Sequence, residues 1–162
     1  MRHKVWRVGA NIDTDALAPG AYMKLEIKEI ARHCLENRYP DLAACVQKGD
    51  VLVAGPNFGI GSSREQAVGV LVELGIGAVI APSFSGLYFR NAFNLGLLAI
   101  VCPDAEQIAE GSLIEIDARN SCIRIESGIS LECQKIPDFL IEMASAGGLL
   151  NQLERKYSVQ NS

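Results

Sequence analysis

Residues 51–74 read VLVAGPNFGIGSSREQAVGVLVEL, and three successive patterns in this segment predict a strand, a loop and a helix. Residues 51–54 form a short apolar run between Asp50 and a Gly-Pro pair, which is typical of a buried strand. A glycine-rich loop covers residues 55–64, and residues 64–74 then carry helix-forming side chains as far as the next glycine. Short buried strands that alternate with helices favour a parallel sheet.

The remainder of the chain extends this alternation. Alternation of β-forming residues predicts a strand at residues 4–8, and apolar runs predict strands at 78–81 and 97–101. Helical spacing predicts a helix at residues 27–36, and a further short helix is expected at 85–94. Further along, the pattern predicts short antiparallel strands at 113–116, 122–125 and 129–131, and a final helix at 137–153 with a break at Gly147-Gly148. We therefore expect one α/β domain over residues 1–162, with helices on a central parallel sheet and a smaller antiparallel sheet.

The composition is that of a globular protein and excludes several functional classes. The chain has 162 residues, of which 49% are hydrophobic and 21% are charged, so it has enough apolar surface for a core. Its formal net charge is −4 and it contains no basic block, which argues against a nucleic-acid partner. No apolar run is long enough for a signal peptide or a membrane span. We expect a cytoplasmic protein without a membrane partner.

The cysteines do not predict a metal site. There are five of them, scattered along the chain, and no Cys-x-x-Cys pair or Cys/His cluster has the spacing of metal ligands. Scattered thiols are ordinary in a cytosolic protein. If an iron–sulfur cluster takes part in the function, this chain is not expected to hold it.

The glycine-rich loop is the segment most suited to chemistry. We expect Ser62 and Ser63 at or near the start of the following helix, where free N–H groups and the helix dipole favour an anion. Arg64 adds a planar donor that suits a carboxylate. The residues alone therefore predict a site for a small carboxylate or phosphate, although the loop is neither a P-loop nor a dinucleotide fingerprint. The competing interpretation is that Ser62 only caps the helix and that Arg64 is solvated.

Three motifs, in order along the chain, resemble a known family. The loop at 55–65 resembles the G-x-N-F-G-x-G-S-S-R-E signature of the aconitase superfamily's swivelling domain. Residues 9–15 are similar to the G-x-N-I-D/N-T-D opening, with a P-x-x-Y at 19–22. Residues 81–96 are similar to the A-x-S-F and R-N-A-x-N-x-G element. The resemblance is to small subunits of 3-isopropylmalate dehydratase, with those of homoaconitase and dimethylmalate dehydratase as close relatives.

This resemblance implies an aconitase swivelling-domain-like, layered β/β/α fold and a hydro-lyase activity. The family dehydrates and rehydrates a small hydroxy acid and uses a 4Fe-4S cluster on a separate large subunit, so this chain is expected to carry no cofactor of its own. The implied assembly is a heterodimer or heterotetramer. By position in the motif, Ser62 is the implied catalytic base, and Ser63 and Arg64 the implied ligands of a substrate carboxylate.

Other matching positions are expected to support the site. Asp13, Thr14 and Asp15 would order the first loop, although a local turn explains them equally well. Arg90 and Asn91 would brace the serine loop from behind. The same supporting role is predicted for the loop residues Asn57 and Gly61.

Two departures from the family pattern bear on the substrate. The segment after Tyr22, which closes over the substrate's variable group in relatives, offers Met23, Lys24 and Leu25 without the usual T-x-D-P turn. The apolar pair favours the branched alkyl group of 3-isopropylmalate or dimethylmalate, whereas Lys24 keeps a tricarboxylate possible. We predict 3-isopropylmalate. Gln66 replaces the histidine of many relatives and cannot titrate.

Three functional hypotheses stay open at this point. The first is an obligate catalytic subunit in leucine biosynthesis that is inactive alone. The second is a stand-alone anion-binding module that uses the Ser62–Arg64 loop without catalysis. The third is a regulatory RNA-binding domain, which the acidic net charge disfavours.

Overall fold

The computed structural model describes the backbone of residues 2–160 and the side chains of residues 2–154, and within that range seven strands form one continuous sheet. In chain order they are β1 (His3–Arg7), β2 (Val51–Val53), β3 (Ala78–Ala81), β4 (Leu98–Val101), β5 (Leu113–Asp117), β6 (Cys122–Ile125) and β7 (Ser130–Glu132). Their spatial order is β4-β3-β2-β1-β5-β6-β7. The first four are parallel, and β1, β5, β6 and β7 pair antiparallel. The expected small antiparallel sheet therefore continues the parallel one through β1.

The two halves of the sheet differ in burial as their sequences predict. Every residue of β2 and β3 is buried, because both faces of this parallel region are covered. In β6, by contrast, Ile123 and Ile125 are buried while Arg124 is exposed. That alternation is typical of an antiparallel strand with one solvated face.

The sheet curls until its two edges meet. The N–H of Gln134, just after β7, donates to the carbonyl of Val101 in β4 at 2.9 Å. Beside this bond, the thiol of Cys102 lies 3.8 Å from the carbonyl oxygen of Glu132. The contact covers part of what would otherwise be two open edges, which are sites of unwanted strand pairing.

The helices surround the parallel half. They are α1 (Thr14–Leu17), α2 (Ile27–Ala31), α3 (Leu42–Cys45), α4 (Gln66–Glu73), α5 (Gly86–Asn94), α6 (Asp138–Ser145) and α7 (Leu149–Gln160), with 3-10 turns at Gly20–Tyr22 and Ala105–Gln107. Helices α1 and α2 pack on α4, and α5 packs on α6 and α7. As predicted, Gly147 and Gly148 separate the last two helices, with φ angles of 87° and 111°.

Two predicted helix boundaries were wrong. The helix expected at 27–36 ends at Ala31, because the chain turns at Leu35, which has a φ of 59° and donates its N–H to the carbonyl of Ala16. Leu35 is buried there, so tertiary packing overrides the helical spacing. Helix α4 begins at Gln66, not at Arg64.

The hydrophobic core is continuous from the sheet to the helices, and its largest fully buried side chains include Phe58, Leu71, Ile80 and Phe93. Phe58 belongs to the glycine-rich loop, so its buried side chain anchors this loop in the core. Within residues 2–160, no helix combines the length and hydrophobicity that a membrane crossing requires.

Candidate active site

Three loops meet where the parallel strands β1, β2 and β3 end, which is the edge where open α/β sheets bind ligands. They cover residues 8–22, 54–65 and 82–86. Backbone hydrogen bonds join them: Asn11 N–H to Pro56 O at 2.8 Å, Gly59 N–H to Ile12 O at 2.7 Å, and Phe58 N–H to Ser83 O at 3.1 Å.

Glycine is required at two positions of the central loop. Gly59 has a φ of 81°, and a Cβ there would lie 2.2 Å from Cγ of the buried Tyr88 ring. Gly61 has a φ of 101°, and a Cβ would lie 3.3 Å from Oγ1 of Thr14. The left-handed backbone and the close neighbours together exclude a side chain. Gly61 therefore allows the loop to approach α1 closely.

A solvent-open cleft lies at this junction. Its lining residues are Thr14, Gly59, Gly61, Ser62, Ser63, Arg64, Ser85, Leu87, Tyr88 and Asn91. The structure thus brings the three residues of the S-S-R motif together with Thr14, Gly61 and Asn91. Ser85, Leu87 and Tyr88 were not indicated by the sequence, although they lie between two recognised parts of one motif.

The serines do not lie at the start of the helix. Helix α4 begins at Gln66, and the N-cap position is Glu65, whose side chain makes no capping hydrogen bond. Ser62 and Ser63 precede it on an exposed loop. The serines therefore lie two and three residues before the N-cap, and the alternative that Ser62 is the cap residue is wrong. Among the side chains that the structure describes, the Ser62 hydroxyl has no hydrogen-bond partner and lines the cleft.

Arg64 is held on one side by Asp15. Nη1 of Arg64 donates to Oδ1 of Asp15 and to the carbonyl of Ala18, each at 3.0 Å. The same Asp15 oxygen accepts the N–H of Gly20 at 2.9 Å. The Gly20 N–H and the Arg64 guanidinium hold the pKa of Asp15 below its usual value, so the carboxylate stays ionised at neutral pH. Both contacts use Nη1, which leaves the Nε and Nη2 edge of the guanidinium for a ligand.

Asp13 and Thr14 order the first loop. Oδ1 of Asp13 caps α1 by accepting the N–H of Ala16 at 2.7 Å, which is the local turn function that the sequence left open. The Thr14 N–H donates to the carbonyl of Ile60 at 2.9 Å. Thr14 is buried, so this pairing fixes α1 against the glycine-rich loop.

Asn57 links all three loops. Its N–H donates to Oγ of Ser83 at 2.8 Å, and its side-chain amide donates to Oδ1 of Asn11 at 2.9 Å. Asn57 and Asn11 have φ angles of 63° and 56°, which asparagine tolerates better than most residues. Asn57 therefore occupies a position consistent with its predicted supporting role.

Comparison with known proteins assigns the chain to a family. The model of the aconitase C-terminal domain matches residues 20–105, which is more than half of the chain. The chain belongs to the aconitase C-terminal domain family. The resemblance drawn from the three motifs and the predicted fold class are both confirmed.

Individual members of this family are similar over nearly the full length. The chain is 40% identical to the small subunit 1 of 3-isopropylmalate dehydratase from Thermotoga maritima over 158 residues, which are 96% of this chain and 95% of the relative. It is 41% identical to the methanogen homoaconitase small subunit of Methanothermobacter thermautotrophicus over 154 residues, 93% of this chain and 89% of the relative.

A solved structure gives the same result. The crystal structure of a 3-isopropylmalate dehydratase from Methanocaldococcus jannaschii matches with a TM-score of 0.90 and 38% identity, covering 99% of this chain and 96% of the other.

The substrate-selective segment expected of this aconitase-type domain begins beside the cleft but does not line it. Lys24 and Leu25 are exposed, and Met23 is half-buried against the core. A Cβ placed on Gly20, where the segment starts, would lie 3.7 Å from Nη2 of Arg64. The segment therefore starts next to the guanidinium of Arg64. Its three predicted contact residues lie outside the cleft lining.

Arg90 and Asn91 have different positions. Asn91 lines the cleft on α5, whereas Arg90 is exposed and donates from Nε to the carbonyl of Gly86 in its own helix at 3.3 Å. This contact does not brace the serine loop, so the bracing role that we predicted for Arg90 gains no support from it.

The cysteines of this aconitase C-terminal domain do not suit an iron–sulfur cluster. Among the described side chains, no group of three or more His, Cys, Asp or Glu residues could hold a metal ion. Cys34 is fully buried, and burial raises the pKa of its thiol to about 12. The neighbouring Cys133 thiol lowers the pKa of Cys102, and Cys102 in turn raises the pKa of Cys133. We derive no cluster ligation on this chain.

Proposed function

We propose that this chain is the small subunit of a cytoplasmic 3-isopropylmalate dehydratase, an aconitase-type hydro-lyase that is active only with a large subunit. One observation carries this proposal: a cleft that contains Ser62, Ser63 and Arg64 in a chain about 40% identical, over nearly its full length, to named small subunits of that enzyme. The products of the reaction would serve leucine biosynthesis.

Arg64 and Ser63 bind one carboxylate of the substrate. A guanidinium pairs with a carboxylate through two parallel N–H donors. Asp15 and the Ala18 carbonyl hold Nη1, so the guanidinium plane is fixed before the substrate arrives. A fixed plane reduces the conformational entropy lost on binding. Ser63 is exposed on the same loop and adds a hydroxyl donor.

Ser62 takes and returns the carbon-bound proton. As an alkoxide, its oxygen removes a proton from the carbon next to the one that loses hydroxide. During rehydration the hydroxyl so formed gives this proton to the carbon that lost the hydroxide, which regenerates the alkoxide. A neutral serine hydroxyl is too weak a base at neutral pH, and the alkoxide forms only where nearby positive charge stabilises it. Arg64, two residues away and turned into the same cleft, supplies part of it.

The remaining positive charge comes from the large subunit. A 4Fe-4S cluster bound there would act as a Lewis acid on the departing oxygen. Within this division of labour the small subunit positions the carboxylate and handles the proton. The assembly is a heterodimer or heterotetramer in which the cleft faces the cluster.

The segment Met23–Leu25 starts beside Arg64 but lies outside the cleft lining, so in this proposal it meets only the part of the substrate that extends beyond the cleft, its variable group. Its two apolar side chains favour the isopropyl group of 3-isopropylmalate, and dimethylmalate is a smaller substrate of the same kind. A second candidate is homoaconitase. The 41% identity to a methanogen homoaconitase small subunit and the exposed ammonium of Lys24, which could pair with a third carboxylate, favour it.

Reconstitution tests the proposal. Each subunit is assayed alone and after equimolar mixing, with a cluster-loaded large subunit and with 3-isopropylmalate, dimethylmalate and homocitrate in parallel. We expect hydro-lyase activity only in the mixture, with 3-isopropylmalate the best substrate. If the mixture is inactive while the isolated chain binds dicarboxylates, the stand-alone anion-binding module is the better description.

A further inference from the structure

Tyr22, His33 and Glu36 form a cluster outside the cleft. The Tyr22 and His33 rings stack with centroids 3.7 Å apart and an interplanar angle of 12°. The Tyr22 hydroxyl donates to Oε1 of Glu36 at 2.9 Å, and Nδ1 of His33 lies 2.7 Å from Oε2. Both carboxylate oxygens are therefore occupied, one by each ring.

This cluster holds the middle of residues 20–25 at Tyr22. Tyr22 ends the 3-10 turn at Gly20–Tyr22, and its carbonyl accepts the N–H of Leu25 at 3.0 Å. The start of these residues is held at Gly20 through the Asp15 carboxylate that also holds Arg64. Residues 20–25 are thus attached at one point to the carboxylate-binding arginine and at another to the turn after α2.

We propose that Tyr22, Glu36 and His33 are positioning residues that fix Met23–Leu25 relative to Arg64 and so set which substrate side group the enzyme accepts. This inference rests on the proposed function. The inference adds Tyr22, His33 and Glu36 to the determinants of specificity, and the last two lie in the turn after α2.

The exposure and chemistry of the segment support this role. Lys24 and Leu25 are exposed, so of the three side chains only Met23 packs against the core. Glu36 and His33 are only 32% and 34% exposed. The hydrogen bonds from His33 and Tyr22 keep the pKa of Glu36 below its usual value, so Glu36 is a carboxylate at neutral pH. The same carboxylate raises the pKa of Tyr22, which stays a donor. A hydrogen bond to a charged acceptor is about twice as strong as a neutral one.

The first test compares substrates in the reconstituted enzyme. Tyr22→Phe keeps the stacked ring and removes the hydroxyl, and Glu36→Ala removes the shared acceptor. We expect each to change the ratio of kcat/KM for 3-isopropylmalate to kcat/KM for homocitrate on the order of tenfold, mainly through KM. Glu36→Gln keeps an acceptor for Tyr22 and should shift the ratio less. The double variant should shift it no more than Glu36→Ala alone, because both changes break one network.

Tyr39→Phe is the matched control. It also removes a tyrosine hydroxyl, but that oxygen accepts the N–H of Gly9 at 2.7 Å and does not contact residues 20–25. Its stability is expected to fall while its substrate ratio stays at the wild-type value. If Tyr22→Phe and Glu36→Ala behave as Tyr39→Phe does, or lower kcat equally for both substrates, the positioning role is refuted.

A second measurement does not depend on activity. In the isolated full-length chain, the amides of Met23 and Leu25 donate to the carbonyls of Gly20 and Tyr22. We expect Tyr22→Phe and Glu36→Ala to speed hydrogen exchange at these two amides by about tenfold. Unchanged exchange would overturn the proposal even if the enzyme is active. Failure of the wild-type mixture to act on any hydroxy acid would refute the proposed function instead.

Discussion

Ser62 lies on an exposed loop three residues before the N-cap of α4, and this position separates its chemical role from any structural one. A capping serine would lower stability by about 1 kcal/mol when changed to alanine. An exposed loop serine changes it by only about 0.5 kcal/mol or less. A Ser62 variant therefore reports on chemistry with little interference from folding.

Ser62→Ala in the assembled enzyme is expected to lower kcat by roughly a hundredfold or more while KM changes little, because the loss falls on the transition state. Initial rates over a range of substrate concentrations, with assembly checked by gel filtration, measure this. Ser130→Ala, an exposed serine outside the cleft lining, is the control. Near-normal turnover by assembled Ser62→Ala would show that another group is the base.

Arg64→Lys should raise KM as well as lower kcat, since an ammonium cannot make two parallel contacts with a carboxylate. The change keeps a positive charge that can pair with Asp15, so the loops should stay joined. Substrate titration of the assembled variant distinguishes two-donor binding of the carboxylate from a purely electrostatic role of Arg64. An unchanged KM would mean that Arg64 does not bind the substrate.

At the residue scale, the sequence predicted which side chains share the cleft, but it did not predict the hydrogen-bond partners that fix those side chains in place. The S-S-R motif indicated a carboxylate site, and Ser62, Ser63 and Arg64 do share one cleft. The partner of Arg64 is 49 residues away, and no local pattern encodes such a pair. The Tyr22–Glu36 contact was not predicted, because Glu36 was expected within a helix at 27–36 and in fact lies in the turn that follows α2.

Among the elements, the glycine-rich loop is the one whose backbone most constrains substitution. Gly59 and Gly111 both have positive φ angles, of 81° and 77°. A Cβ on Gly59 would overlap the Tyr88 ring, whereas a Cβ on Gly111 would meet nothing within 4 Å. Alanine substitutions at these two glycines therefore separate the free-energy cost of backbone strain from that of overpacking.

We expect Gly59→Ala to lower the free energy of unfolding by about 3 kcal/mol or more, since left-handed strain and overpacking add. Gly111→Ala should lose only about 1 kcal/mol, from strain alone. Urea denaturation of the two variants measures both values. Equal losses would indicate that Tyr88 moves aside at little cost and does not fix the loop.

The strands were predictable because each is either a short apolar run, as in β2, β3 and β4, or an alternation of apolar and polar residues, as in β6. The four parallel strands begin and end within one residue of their predicted bounds. The end of α2 was not predictable, because the turn at Leu35 depends on a hydrogen bond to Ala16. The continuity of the two sheet halves depends on β1, which pairs with β2 on one side and β5 on the other. Neither contact can be predicted from the local periodicity of hydrophobic residues.

For the whole molecule, the substrate choice is the property most open to redesign. Lys24→Arg should raise kcat/KM for homocitrate relative to 3-isopropylmalate by about tenfold, because a guanidinium pairs with the added carboxylate through two donors. Assembly should be unaffected, since Lys24 is exposed. Lys28→Arg, an equally exposed change on α2, serves as the control. An unchanged ratio would remove Met23–Leu25 from the determinants of specificity.

The division of labour between the subunits predicts the metal content. The purified small chain should contain no stoichiometric iron and no visible absorption from cysteine-ligated iron, because its thiols are not grouped as cluster ligands. Metal analysis and a spectrum after treatment with a chelator check this, with the cluster-loaded large subunit as the positive control. Iron that survives chelation and is lost on cysteine substitution would contradict the proposed assignment.

The central position of β1 affects how the chain reaches its native state during synthesis. This strand is synthesised before both of its partners, since it pairs through Val5 with Val51 and through His3 with Ile114. Contacts between residues so distant in sequence slow folding. One edge of β1 can pair only after β2 has been made, and its other edge stays unpaired until β5 has been made. An unpaired strand edge on a nascent chain is open to aggregation and to chaperone binding, so the β5 segment completes the protection of β1.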